Sequence, residues 1–237
     1  SKMEVVVFHP EEGDNLPGMI LVEGGNSGMS NSLKFDSSTA DYSKIDKMAA
    51  EGFVILIFSA EGREGSEGEE NYNGYLSQDG LYELYRFLSQ HEKVDYDNIG
   101  VVSKSYGVAM VSGMLGRYQV PVKYFIEWEG PVNRYYVTVG CNPKGKSVQT
   151  DITCNDDDYW IEREALRFVP YFNTDNLIII QSEIDHVQSS IQHSIDINNL
   201  AIDYIDNVRV NGPENEAGIK YTSGSIPLIS EDEQLED

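Results

Sequence analysis

Positive charge is what this sequence has least of. Seventeen lysines and arginines stand against 40 aspartates and glutamates, a formal net charge of −23. No basic patch is left to neutralise phosphates, so neither nucleic acid nor an anionic membrane surface is an expected partner. Self-repulsion at low ionic strength is expected instead. Long apolar runs are missing too. None approaches the ~20 residues a bilayer-spanning helix needs, and the N-terminus shows no basic-then-apolar leader. Ser1 and Lys2 read as additions ahead of Met3. The expectation is a soluble, cytoplasmic protein.

Cysteine is limited to Cys141 and Cys154, 13 residues apart in one loop-rich region. With no CxxC pair and no neighbouring histidine they make a poor zinc site, and neither metal nor other cofactor is expected. In a reducing compartment the two read as free thiols; an oxidising one would let them pair. Histidine is equally scarce. His9, His91, His186 and His193 are all the chain has, and 208–237 contains none.

What the sequence does have is organised around Asn98–Met110, NIGVVSKSYGVAM. Ile99, Val101 and Val102 suit a buried central strand. Ser103-Lys104-Ser105-Tyr106-Gly107 follows, and Val108–Val111 opens an apolar stretch compatible with a helix. A serine on a sharp strand-to-helix turn is strained, so the residues two before and two after it must be small. Ser103, in place of the usual glycine, and Gly107 both meet that demand. Such a turn lifts the serine hydroxyl off the end of the sheet, beside helix N–H groups that favour developing negative charge. The bland alternative is a serine-rich turn without chemistry.

Elsewhere the chain alternates. Strands are expected at Glu4–Phe8, Gly18–Val22, Phe53–Phe58, Val122–Trp128, Leu177–Ile180 and Val208–Val210, and helices at Ala40–Glu51, Gln78–His91, Tyr159–Phe168 and Ser189–Ile205. Leu81, Leu84, Tyr85 and Leu88 recur at helical spacing in the second of these helices. Glu23–Gly28 is a glycine-rich loop that lets backbone N–H groups approach a ligand, and Ser59–Tyr75 reads as a surface loop. Asp156–Asp158 reads as a helix cap rather than a calcium site. The pattern predicts an α/β fold: a mostly parallel sheet covered by helices on both faces, with 1–212 as one domain, a small cap insertion at about 130–176, and an acidic, mobile tail over 213–237. In such sheets ligands bind beyond the carboxyl ends of the strands. Ser105, Gly24–Asn26, Glu129 and Asp185-His186 all follow strand ends.

This order of elements, from Glu4 to about Gly212, resembles the α/β-hydrolase superfamily, and within it dienelactone-hydrolase-like and prolyl-oligopeptidase-like enzymes. The resemblance implies Ser105 as nucleophile, the Tyr106 N–H as one oxyanion donor, Gly25 or Asn26 as the other, and Asp185 as the acid of a triad. Two features depart from it. Glu23-Gly24 stands where many relatives carry His-Gly, and the histidine that normally follows the last strand is absent. Of the four histidines, His9 and His91 sit at the ends of a first strand and a surface helix. His186, in the loop leaving a strand end, is therefore the expected base. His193, about two helical turns on, is expected to support it or belong to the core. Because sequence neighbours rarely point the same way, Glu129 is the alternative to Asp185 for orienting His186. Asp185 and His186 could also simply cap a helix.

Three functions follow as expectations: a serine esterase for a small substrate, a peptidase for short peptides whose amino group meets Glu23, Glu127 or Glu129, or a binding protein that has lost its chemistry. Trp128, Tyr159, Trp160 and Tyr171 could line a pocket under the cap or belong to the core. Nothing in the sequence decides whether the protein forms a homo-oligomer.

Overall fold

The structure is a computed structural model and describes residues 1–32, 43–135, 141, 152–186, 190–212 and 214–230. Its strands are β1 (Glu4–Phe8), β2 (Leu16–Val22), β3 (Val54–Ser59), β4 (Val94–Lys104), β5 (Pro121–Val122), β6 (Tyr124–Trp128), β7 (Asn173–Thr174), β8 (Asn176–Ile180) and β9 (Asn207–Val210). The helices are α1 (Met29–Ser32), α2 (Ser43–Ala50), α3 (Tyr75–Ser89), α4 (Gly107–Tyr118), α5 (Asp157–Ile161) and α6 (Gln192–Ala201). Seven strands form one sheet in the order β1-β3-β2-β4-β6-β8-β9. β1 is antiparallel to β3, and every other pair in the sheet is parallel. β5 and β7 pair separately. The expected mostly parallel α/β architecture is present.

The central strands are apolar on both sides because both sides are covered. All six residues of β3 are buried. One face, carrying Ile20, Leu56, Val101, Phe125, Leu177 and Val208, packs under α3, α4 and α6 through Leu81, Leu84, Met110, Met114 and Ile195. The other face, carrying Met19, Leu21, Ile55 and Ile57, packs on Met29 of α1 and on Ile45 and Ala49 of α2. This second cover is thin. Along β6, β8 and β9 every second residue, among them Ile126, Ile178 and Arg209, is only half-buried.

Several expected boundaries move. Ala40–Tyr42, the start of one expected helix, and Ser189, the start of another, lie outside the described residues. The expected helix over Tyr159–Phe168 is α5 followed by two 3-10 turns, Ala165–Arg167 and Val169–Tyr171, because Glu164 takes an extended conformation, at φ −83 and ψ 100, and breaks the helical run. These turns pack on α4 and α6. The expected mobile tail is held at least as far as 230. Ile226 is buried, Ser182 and Ile229 form a parallel bridge, and Asn198 and Asn199 of α6 donate to the carbonyls of Ile219 and Tyr221. Apart from Ile226, these ties use the segment's backbone groups, which a polar segment can offer without a hydrophobic face of its own. Cys141 and Cys154, expected as free thiols, are joined in a disulfide. Among the described residues no helix is long and apolar enough to cross a membrane.

Candidate active site

Register brings the site together. Lys104 pairs with Trp128, and Trp128 with Ile180, so the chain leaves β4, β6 and β8 at one rim with Ser105, Glu129 and Gln181 side by side. Ser105 has φ +50, a left-handed conformation that a non-glycine residue adopts only where its surroundings enforce it. Its N–H donates to the Trp128 carbonyl at 2.8 Å, and its own carbonyl accepts from Val108 in the first turn of α4. This is the expected serine elbow.

The loop after β2 lies directly against the elbow. A Cβ on Gly24 would stand 2.6 Å from the Ser105 Cβ, and one on Gly107 would stand 2.8 Å from the carbonyl oxygens of Val22 and Glu23. Only glycine fits at either position. Gly107 thus meets the steric demand that the sequence motif placed on it, and Ser103, fully buried, meets it on the other side. Gly25, at φ +61, turns the loop so that Gly25 and Asn26 follow Gly24 past the elbow. Tyr106 is buried with its phenol pushed up by desolvation; its side chain is core, and its backbone N–H is what the elbow offers. Glu23 is buried as well, so it is not the open rim carboxylate expected to meet a substrate amine.

The second half of the site is a set of paired acids and histidines. Glu129, at φ +48 just past β6, is buried, with Oε2 lying 2.7 Å from Nδ1 of His186. Its Oε1 accepts from the Ser182 N–H at 3.0 Å and from the Ser182 hydroxyl. Burial pushes the Glu129 carboxyl up, but the hydrogen bonds from His186 and Ser182 outweigh it and hold the group below its ordinary range. Asp185, the acid expected from the resemblance, reaches His186 Nδ1 only at 3.4 Å. Its other oxygen lies 3.1 Å from Nε2 of His193. His193 is fully buried, and its Nδ1 lies 2.9 Å from the Gly130 carbonyl. Sequence neighbours diverge here as expected: His186 turns to Glu129, and Asp185 turns to His193. Among the described residues no hydrogen bond joins the Ser105 hydroxyl to a histidine. Glu129, Asp185 and His186 also each present one ligand atom within 4.8 Å of the others, the one such trio found among the described residues.

Glu127 lies behind the rim. It is fully buried, accepts from the Gly130 N–H, and has its second oxygen unpartnered. Desolvation drives its carboxyl well above the ordinary range.

The remaining expected residues are dispersed. His9 and His91 lie near each other with their rings tilted by 50°, at the opposite rim. Trp160 is core, donating from Nε1 to the Thr153 carbonyl, with Tyr159 edge-on to it, and Tyr171 is exposed. Asp156 caps α5 through the Tyr159 N–H.

Sequence reasoning missed Arg63 and Asn73. Ser59–Tyr75 reads as a surface loop, yet both residues are buried in it beside the elbow. An arginine in a segment otherwise crowded with glutamates was the available signal.

No protein-family model matches the chain. Over 89 residues it is 32% identical to the uncharacterised peptidase YtmA of Bacillus subtilis, a match covering 37% of this chain and 34% of that protein. Among solved structures it resembles an acylaminoacyl peptidase of Pyrococcus horikoshii, with a TM-score of 0.66 and 18% identity over 91% of this chain and 35% of that one. A dienelactone hydrolase from Klebsiella pneumoniae, described as putative, gives a TM-score of 0.59 at 12% identity, over 94% of this chain and 87% of that one. The chain thus spans about a third of the length of its peptidase relatives and most of the length of this smaller one. Sheet order, serine elbow and structural likeness agree: the chain has the α/β-hydrolase fold.

Proposed function

We propose that the chain is a serine hydrolase that cleaves a carboxylic ester or related acyl bond of a small substrate through an acyl-enzyme at Ser105. The observation that carries this reading is the left-handed Ser105 at the strand–helix elbow, hydrogen-bonded through its N–H to Trp128, whose neighbour Glu129 lies 2.7 Å from His186. With Nδ1 engaged by Glu129, Nε2 of His186 is the nitrogen left to take a proton. As the Ser105 oxygen bonds to the carbonyl carbon, that proton passes to His186. The Tyr106 N–H and the N–H of Gly25 or Asn26 receive the oxyanion. His186 then protonates the leaving oxygen, and water, deprotonated by the same imidazole, releases the acid. The buried Glu129 carboxylate holds the ring and offsets its charge, the role first expected of Asp185. A catalytic serine–histidine contact often tightens only when substrate binds.

A peptidase reading with the same machinery is favoured by the match to the Bacillus peptidase. One experiment separates the readings. Wild type should be labelled by a fluorophosphonate probe, while Ser105→Ala and His186→Ala should not. Hydrolysis of p-nitrophenyl esters but not aminoacyl amides would remove the peptidase reading. A wild type that neither labels nor turns over either class would remove both and leave a binding protein.

A further inference from the structure

We propose that Asn73 is a positioning residue that ties the two halves of the oxyanion site together, with Arg63 setting the direction of its amide. The inference rests on the hydrolase reading above and assigns a role to a segment outside the expected triad.

Asn73 is fully buried and held at φ +65. Its Nδ2 donates to two backbone carbonyls, that of Gly25 at 3.2 Å and that of Tyr106 at 3.0 Å. One belongs to the loop after β2 and the other to the elbow. Its Oδ1 accepts from Nη2 of Arg63 at 2.7 Å. This contact fixes the amide. Exchanging its oxygen and nitrogen would set the oxygen against two carbonyls and the NH2 against a guanidinium, so only one orientation satisfies every group. Arg63 is itself immobilised, with Nε and Nη2 on the two oxygens of Glu70 at 2.7 and 2.9 Å and Nη1 on the Ser27 carbonyl at 3.3 Å. The Asn73 carbonyl accepts from Nε2 of Gln78, which anchors the residue to α3.

Peptide planarity carries the effect to the reaction. The carbonyl of Gly25 and the N–H of Asn26 lie in one plane and point in opposite directions. Pinning that carbonyl therefore aims the Asn26 N–H, and the geometry makes Asn26, rather than Gly25, the donor that Asn73 controls. Both segments joined by the clamp turn through left-handed residues, Gly25 and Ser105; glycine takes that conformation freely and is not fixed by it, while the serine keeps it only where surrounding contacts hold it.

The test compares wild type, Asn73→Ala and Asn73→Asp. The aspartate keeps the shape and the Arg63 contact but cannot donate to either carbonyl, so it serves should the alanine variant fail to fold. Ester turnover should fall about 100-fold in kcat, the scale of losing one oxyanion donor, with KM within about threefold. Affinity for a boronic acid transition-state analogue should fall in parallel with kcat. Amide hydrogen exchange at residues 24–28 should accelerate in both variants while circular dichroism stays unchanged. A kcat within twofold of wild type overturns the proposal, as does a drop in kcat with no loss of analogue affinity. A wild type unlabelled by fluorophosphonate overturns the hydrolase reading instead. The exchange comparison still decides the clamp in that case, and unchanged exchange at Asn26 refutes it.

Discussion

Two carboxylates lie within reach of one imidazole here, and hydrogen bonding decides between them. Glu129 is buried, held by two bonds from Ser182 and 2.7 Å from His186 Nδ1, whereas Asp185 is shared with His193. Glu129→Gln should therefore lower ester kcat by at least about 100-fold, as loss of acid–base support does. Asp185→Asn should cost less than tenfold. Steady-state kinetics of the two variants check this, and the reverse order would return the role to Asp185. Glu127 supplies a pH prediction. Its folded-state pKa is raised by desolvation, so its favourable contribution is present below the ordinary carboxylate range and is lost as pH rises through the raised value. Glu127→Gln, which keeps an acceptor for the Gly130 N–H, should match wild type in melting temperature near pH 5 and exceed it by a growing margin towards pH 9. Glu129 has the opposite sign. Its lowered carboxyl contributes stability above its unfolded value, and this is lost as pH falls.

At the scale of elements, α3 was legible because Leu81, Leu84, Tyr85 and Leu88 carry its period, and all four are buried. The strands were legible as β-branched runs. The Ser59–Tyr75 loop was not. Its charged and polar composition reads as solvated surface, but Arg63, Glu70 and Asn73 satisfy one another inside the protein, and no local pattern encodes such mutual satisfaction. The elbow is the element most dependent on a single residue. Gly107→Ala would bring a Cβ to 2.8 Å from two backbone carbonyls of β2 and its loop, which cannot yield as a flexible side chain would. The variant should lose about 1–3 kcal/mol of stability and its fluorophosphonate labelling together, read by thermal melting and gel fluorescence. Retained labelling would show that the loop can withdraw from the elbow.

For the whole molecule, the charge of −23 is distributed over a fold that spends few of its acids on chemistry. Acids outnumber bases by 40 to 17, and repulsion between like charges weakens the compact state. Against this stand covalent and hydrogen-bonded ties: the Cys141–Cys154 bond and the return of 214–230 onto α6 and the segment just after β8. The disulfide closes a short loop, so its reduction should lower stability by about 3 kcal/mol. Melting with and without a thiol reductant, alongside a thiol titration giving none before reduction and two after it, checks this.

The sequence by itself determined the parallel α/β architecture, the elbow at Ser105 and the set of residues that leave strand ends at one rim, because periodicity and glycine placement act over a few residues. By the poverty of alternatives it also made His186 the histidine to propose as base. Only the tertiary structure decided which acid meets that histidine, that the two cysteines join, and that Asn73 reaches both Gly25 and Tyr106. Each of those depends on side chains from segments distant in the chain meeting within about 3 Å, the length of a hydrogen bond, and such a meeting leaves no mark on the local pattern of either partner.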